Sequence, residues 1–119
     1  MVIDANVRTF IVTAKEIPNI NERLKKTHPN SPILSIDAAV GDKDDVGTIR
    51  IFDKGIKPGL GVNKDLERVG DYSIIGIVAD KTNKNTLLRT RLNLVYKMAD
   101  QISNAVLRHV GYVFERQNA

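Results

Sequence analysis

The apolar positions change period several times along the chain, and each change marks an element. Val7, Thr9, Ile11 and Thr13 alternate with Arg8, Phe10 and Val12, a β-rich run that predicts a strand over Val7–Thr13. Pro18 suits a first helical position, with Ile17, Ile20 and Leu24 on one face. His28-Pro29 closes that helix, because the residue before a proline avoids the α region, so a short helix is predicted over Pro18–Thr27. The run from Pro32 to Gly41 follows. Ile33, Leu34 and Ile36 there suit a strand covered on both faces that ends by delivering Asp37 to the sheet edge. Strand, helix and strand make a βαβ unit, with a right-handed crossover and parallel strands.

Beyond Asp37 the polar stretch Gly41 to Asp45 leads into a β-branched strand over Val46–Phe52. The connection is too short for a crossover helix, so this strand is expected to run antiparallel or to sit at an edge. Tyr72 to Val78 forms a third apolar strand, in which Gly76 marks close packing or a bulge. Leu88, Leu92, Val95, Ala99, Ile102 and Val106 then recur at steps of four and three. They predict the longest element, a helix over Thr86–His109 with one broad buried face widened by Leu94 and Met98. Arg89, Arg91, Lys97 and Arg108 make its solvated side, and Gly111 supplies the stop.

Composition narrows the classes of function. At 119 residues and 42% hydrophobic, the chain is expected to be one soluble α/β domain over residues 1–119 with no linker. With no cysteine, disulfides, thiolate metal sites and thiol nucleophiles are excluded. The net charge of +4 raises the question of nucleic acid, but the basic residues are interleaved with acids and three Phe, three Tyr and no Trp make a thin stacking platform. A mixed solvated surface accounts for the charge, and nucleic acid is not expected as a partner. Met1 to Ala14 carries Asp4 and Arg8, which fits neither a signal peptide nor a membrane span, so a cytoplasmic protein without membrane partners is expected. The two histidines, His28 and His109, each fall at a predicted helix end, where they favour the dipole. No third ligand accompanies them, and the acids around Asp42 to Asp45 lack the order of a calcium loop, so neither metal nor cofactor is expected.

Two stretches are candidates for chemistry. Asp37 falls where ligands bind in α/β sheets, at the carboxyl end of its strand; the alternative is an aspartate that caps the following turn. The segment Gly55-Ile56-Lys57-Pro58-Gly59-Leu60-Gly61-Val62-Asn63-Lys64 carries three glycines and reads as a site loop or as a long surface turn. It is not a dinucleotide fingerprint, since Lys64 stands where the third glycine belongs, and it lacks the Gly-Lys-Ser/Thr of a P-loop.

Ser35-Ile36-Asp37-Ala38 with Gly41, Val46-Gly47, the Gly55 to Lys64 loop, Val69-Gly70-Asp71, Ile75-Gly76-Ile77-Val78 and Thr90-Arg91-Leu92-Asn93-Leu94-Val95 occur in unbroken order. Between His28 and Ile102 this combination resembles the YyaC-type sporulation proteins of spore-forming Firmicutes, the DUF1256 family. More distantly, the Ile-Asp-Ala strand and the glycine loop are similar to those of the spore germination protease and the hydrogenase maturation proteases. The resemblance implies a mixed, mostly parallel sheet with helices on both faces, phosphorylase/hydrolase-like in the manner of the maturation proteases, here lacking the first strand and helix. It also implies an acidic site in which one carboxylate is ionised and its neighbour protonated. Asp37 matches the second, catalytic acid, while Lys57, Gly59, Gly61, Asn63 and Asp71 would serve binding. The first acid of relatives lies in a Thr-Asp-x-Ser-x-Gly-Asp segment, and no such segment precedes Val7. Lys57 stands near the position where maturation proteases place a histidine, and an ammonium group is not a metal ligand.

The resemblance therefore implies a sporulation-associated, peptidase-like protein, an aspartate-dependent endopeptidase acting on a protein or peptide. The alternative is a catalytically inactive binding or scaffold protein. A small-anion site formed by the glycine loop with Lys57 or Lys64 ranks below both. A sheet without its first strand and helix also implies a homo-oligomer, a two-fold dimer closed by sheet extension or by the Leu88 to Val106 helix.

Overall fold

A computed structural model of the protein describes residues 15–57, 67–82 and 92–118, the last of these as backbone alone from residue 110. The elements run α1 (Ile17–Thr27), β1 (Leu34–Gly41), a 3-10 turn (Lys43–Asp45), β2 (Ile49–Phe52), β3 (Tyr72–Asp80) and α2 (Leu92–Asn118). The predicted strand over Val7–Thr13 and the first turns of the predicted long helix, Thr86 to Arg91, lie outside the described residues. So does most of the glycine loop.

Among the described residues the chain is α/β, with two helices and a three-stranded sheet in the order β1-β3-β2. The Ile33 carbonyl accepts from the N–H groups of Asp71 and Tyr72, and eight residues on the Gly41 carbonyl accepts from Lys81, so β1 and β3 advance together and are parallel. Against β2 the pattern reverses. The Gly47 N–H donates to the Ile77 carbonyl at 2.8 Å and the Ile77 N–H donates to the Thr48 carbonyl at 2.9 Å. Two residues opposing one, the first a glycine at φ 92°, is the signature of an antiparallel G1 bulge. The sheet is thus mixed but not mostly parallel as expected. β2 is joined to β1 by a connection with room for only a 3-10 turn, and an antiparallel return is what so short a connection permits.

The bulge also delays β2. The β-branched pattern predicted a strand from Val46, but regular pairing starts at Ile49, after the extra residue has been absorbed. A second correction concerns which strand is buried. Leu34 and Ile36 of β1 are 40% and 52% exposed, whereas in β3 Ser73, Ile74 and Gly76 to Ala79 are buried and Ile75 is half-buried. β3, paired along both edges, occupies the covered position assigned from sequence to the Asp37 strand.

The described residues fall into two compact units, one around α1 within residues 15–37, 50–57 and 67–75, the other around α2 within 38–49, 76–82 and 92–118. In the α2 unit, Val78, Ala79 and Met98 form the core, with Ile49, Leu94 and Val95 packed against it. Gly76 serves close packing: a Cβ there would meet the Met98 Cε at 3.0 Å. α2 runs on to Asn118, so Gly111 does not stop it and His109 is not at its end. A glycine inside a helix costs only about 1 kcal/mol, less than a packed helix face recovers.

In the α1 unit the helix matches its prediction to within one residue, with Pro18 in its first turn and His28 as the closing residue, whose N–H donates to the Leu24 carbonyl at 2.8 Å. Its buried residue is Asn21, while Ile17, Ile20 and Leu24 are half-buried. Ile56 and Val69 exchange both backbone hydrogen bonds, at 2.9 and 2.8 Å, as an isolated antiparallel bridge. Gly70 follows at φ 86°, and a Cβ there would press on the Ser35 hydroxyl and the Ile33 carbonyl.

Truncating Met98 to alanine should destabilise the protein by about 2–4 kcal/mol, through lost transfer energy and the cavity left against Val78. Gly47→Ala should cost about 1–2 kcal/mol, the strain of a side chain in the left-handed region. Urea unfolding with an unchanged slope reads both.

Candidate functional site

In the α1 unit an open cleft of about 870 Å³ is walled by Asn21, Lys25 and His28, by the chain from Pro29 to Ile33, and by Glu67, Arg68, Asp71 and Tyr72. Local chemistry builds each wall. His28-Pro29 ends α1, and Pro32 then commits the chain to an extended path into β1. The facing wall is held by the Ile56–Val69 bridge and by the Ser35 hydroxyl, which donates to the Val69 carbonyl at 2.8 Å. Asp71 ties the two walls: its N–H donates to the Ile33 carbonyl at 2.8 Å while its Oδ2 accepts from the Ile33 N–H at 2.8 Å. Lys25 and Glu67 meet at 3.3 Å, both largely exposed, a contact worth under about 1 kcal/mol. Arg68 donates from Nη1 to the Gly55 carbonyl at 3.0 Å.

Both acids of this cleft therefore have an ammonium or N–H partner. That is the reverse of two carboxylates set face to face to share a proton. What the cleft offers instead is an array of amide, hydroxyl, imidazole and guanidinium groups from separate segments, suited to hydrogen-bonded recognition.

The candidate residues from sequence are only partly brought together. Asp71 lines the cleft, in the structural role just described. Asp37 is exposed and lies in the middle of β1, since the strand continues to Gly41 rather than ending on the carboxylate. Ala38, Ala39 and Val40 sustain the strand where small residues after an acid read as a turn. Neither Asp37 nor the exposed Lys57 is among the residues lining the cleft. Gly59, Gly61 and Asn63 lie outside the described residues. No group of three His, Asp or Glu side chains suited to holding a metal occurs among the described residues. No helix among them is long and apolar enough to cross a membrane.

The carboxyl ends of the parallel strands, in the α2 unit, carry residues that are not among the candidates read from the sequence. Asp80 Oδ1 accepts from both the N–H and the hydroxyl of Thr82, each at 2.9 Å, an aspartate turn that stops β3. The Thr82 backbone bond, then its hydroxyl, hold the Asp80 carboxyl below the usual range. Lys81 pairs with Asp42 at 2.7 Å, and that bond and its charge push the ammonium pKa up. The signal was present in the sequence as Asp-x-Thr directly after an apolar run.

Residues 9–105 match the family described as protein of unknown function DUF1256. The match covers most of the chain, and the protein belongs to this family. Among its relatives is the uncharacterized protein YyaC of Bacillus subtilis (strain 168), 40% identical over 85 residues, which are 70% of this chain and 42% of YyaC. The chain thus spans under half the length of that relative. No solved structure matches it.

Asp71→Ala should lower stability by about 1–2 kcal/mol in urea unfolding, because the Ile33 N–H loses its acceptor. The strand-end groups set two pH limbs. Asp80, with a lowered folded pKa, contributes stability that is complete above the ordinary aspartate value and lost as pH falls through the lowered one. Lys81, with a raised folded pKa, contributes stability that is complete below the ordinary lysine value and lost as pH rises through the raised one. In an NMR titration of side-chain carboxyl carbons, Asp80 should give a midpoint below that of an unstructured aspartate. Thr82→Ala should move it part of the way back, since the backbone bond survives.

Proposed function

We propose that this chain is a polypeptide-binding member of its family, taking an extended segment of a partner protein into the α1-unit cleft without cleaving it. The observation behind this reading is the lining of that cleft. Asn21, His28, Asn30, Ser31, Arg68 and Tyr72 converge on it from separate segments, while its two acids are already partnered. Peptide groups present alternating donors and acceptors, and amide and hydroxyl side chains can answer either. The sporulation setting comes from the family likeness, and the expected cytoplasmic location from the charged residues within Met1 to Ala14.

The other reading, an aspartate-dependent endopeptidase with a maturation protease-like fold, rests on the likeness of the Asp37 strand. Against it stands the exposure of Asp37 in mid-strand. A catalytic carboxylate is tuned by surroundings drier than an exposed strand position provides.

One experiment tests both readings. Fluorescein-labelled, reduced and carboxymethylated α-lactalbumin, an unfolded chain, should show increased polarisation on titration with the protein and run intact on a gel afterwards. Tyr72→Ala and Asn30→Ala, at exposed positions, should each weaken binding up to about tenfold, ~1.4 kcal/mol, with unchanged circular dichroism. Cleavage of the probe that disappears in Asp37→Asn would replace the binding reading with the endopeptidase one. Absence of both binding and cleavage would reject both.

A further inference from the structure

α2 carries two apolar stripes, of which its own unit covers one. Met98 and Ile102 are buried, with Leu94 and Val95 half-buried beside the Val78 and Ala79 core. Turned away from these, Leu92, Tyr96, Ala99, Ser103 and Leu107 follow at steps of four, three, four and four, which keeps them on one face of a helix. All five are exposed: Leu92 and Tyr96 at 75%, Leu107 at 56%. A solvated helix face normally carries charge; this one carries none over four turns and exposes Leu92, Tyr96 and Leu107, as a face built to be covered does.

We propose that this stripe is a self-association surface, on which α2 of a second copy of the chain docks antiparallel about a two-fold axis crossing the helix between Ala99 and Asp100. The order of side-chain sizes identifies the occupant. That axis exchanges Leu92 with Leu107 and sets Tyr96 against Ser103, so each large side chain at one end meets a leucine and each tyrosine ring meets a small residue. The smallest side chain, Ala99, falls at the crossing, where two helices must come nearest. Charge agrees with size. Lys97 and Asp100 border the stripe on its polar flank, and in an antiparallel pair each flank faces its own copy, so Lys97 of one chain comes within reach of Asp100 of the other, twice over. The stripe thus complements its own reversed copy, leucine against leucine and large against small.

The area sets the strength. Covering Leu92, Tyr96 and Leu107 removes roughly 300 Å² per copy from water, under half of the about 800 Å² each partner gives to a standard interface, with the flank adding part of the remainder. The dimer is therefore expected to be of micromolar affinity and dynamic.

The test uses the whole chain, which contains no cysteine. In sedimentation at about 100 µM the wild type should populate a dimer, and Tyr96→Glu and Leu107→Glu should each shift the boundary to the 13.2 kDa monomer, with at least tenfold weaker association. Both substitutions sit at exposed positions, and unchanged circular dichroism would establish that they fold. Under mild oxidation Ala99→Cys, beside the axis, should give at least about tenfold more disulfide-linked dimer than Asn104→Cys on the polar flank, because bridging needs Cα atoms within about 7 Å. A wild type that stays monomeric, glutamate variants that still dimerise, or equal crosslinking at the two positions would each overturn the proposal.

Discussion

A strand paired along both edges surrenders water over its whole backbone, and β3 does so between β1 and β2. Every peptide group it buries must find a partner on a neighbouring strand, which dictates where those neighbours start and stop. The Gly47 bulge is one consequence, fitting two residues of the incoming chain opposite Ile77. The Asp71–Ile33 exchange is another, aligning the start of β1 with the start of β3 through a side chain as well as the backbone. Side chains of β3 then supply the surface for α2, and Gly76 provides the hollow for Met98. With each of Ile74, Ile77 and Val78 worth roughly 1.5–3 kcal/mol on burial, this one strand carries stabilisation comparable with the net stability of a small domain.

The same constraint shapes the cleft. Its walls are the entry into β1 and the entry into β3, so the contacts that set the strand register also set the spacing of the groups that line it. Arg68 is tied to the Gly55 carbonyl beside the Ile56–Val69 bridge and Tyr72 opens β3, whereas Lys25 reaches in from a helix by an exposed and weak ion pair. The two acids of the cleft are each met by a partner of opposite charge or an N–H group rather than by each other.

Membership of the family was legible in the primary structure, because short motifs kept their order across the matched 9–105 span. So were α1 to within one residue, β3 nearly whole, and the antiparallel edge position of β2. These features are local: proline geometry, a long β-branched run and a connection too short for a helix act within a few residues.

What tertiary structure alone decided is non-local. The apolar run through Asp37 and the one through Ile77 have similar composition, and only the strand order puts the second in the middle and leaves Asp37 exposed on the first. Asp71 read as a binding residue because a carboxylate's partner cannot be known until Ile33, far off in sequence, is placed beside it. The steps of three and four in α2 merge its two stripes into one broad apolar face. Contact with Val78 and Ala79 is what separates the residues that bury from those that remain in water. Periodicity reports which side chains share a face of an element; which of the faces is covered depends on packing between segments that the sequence keeps far apart.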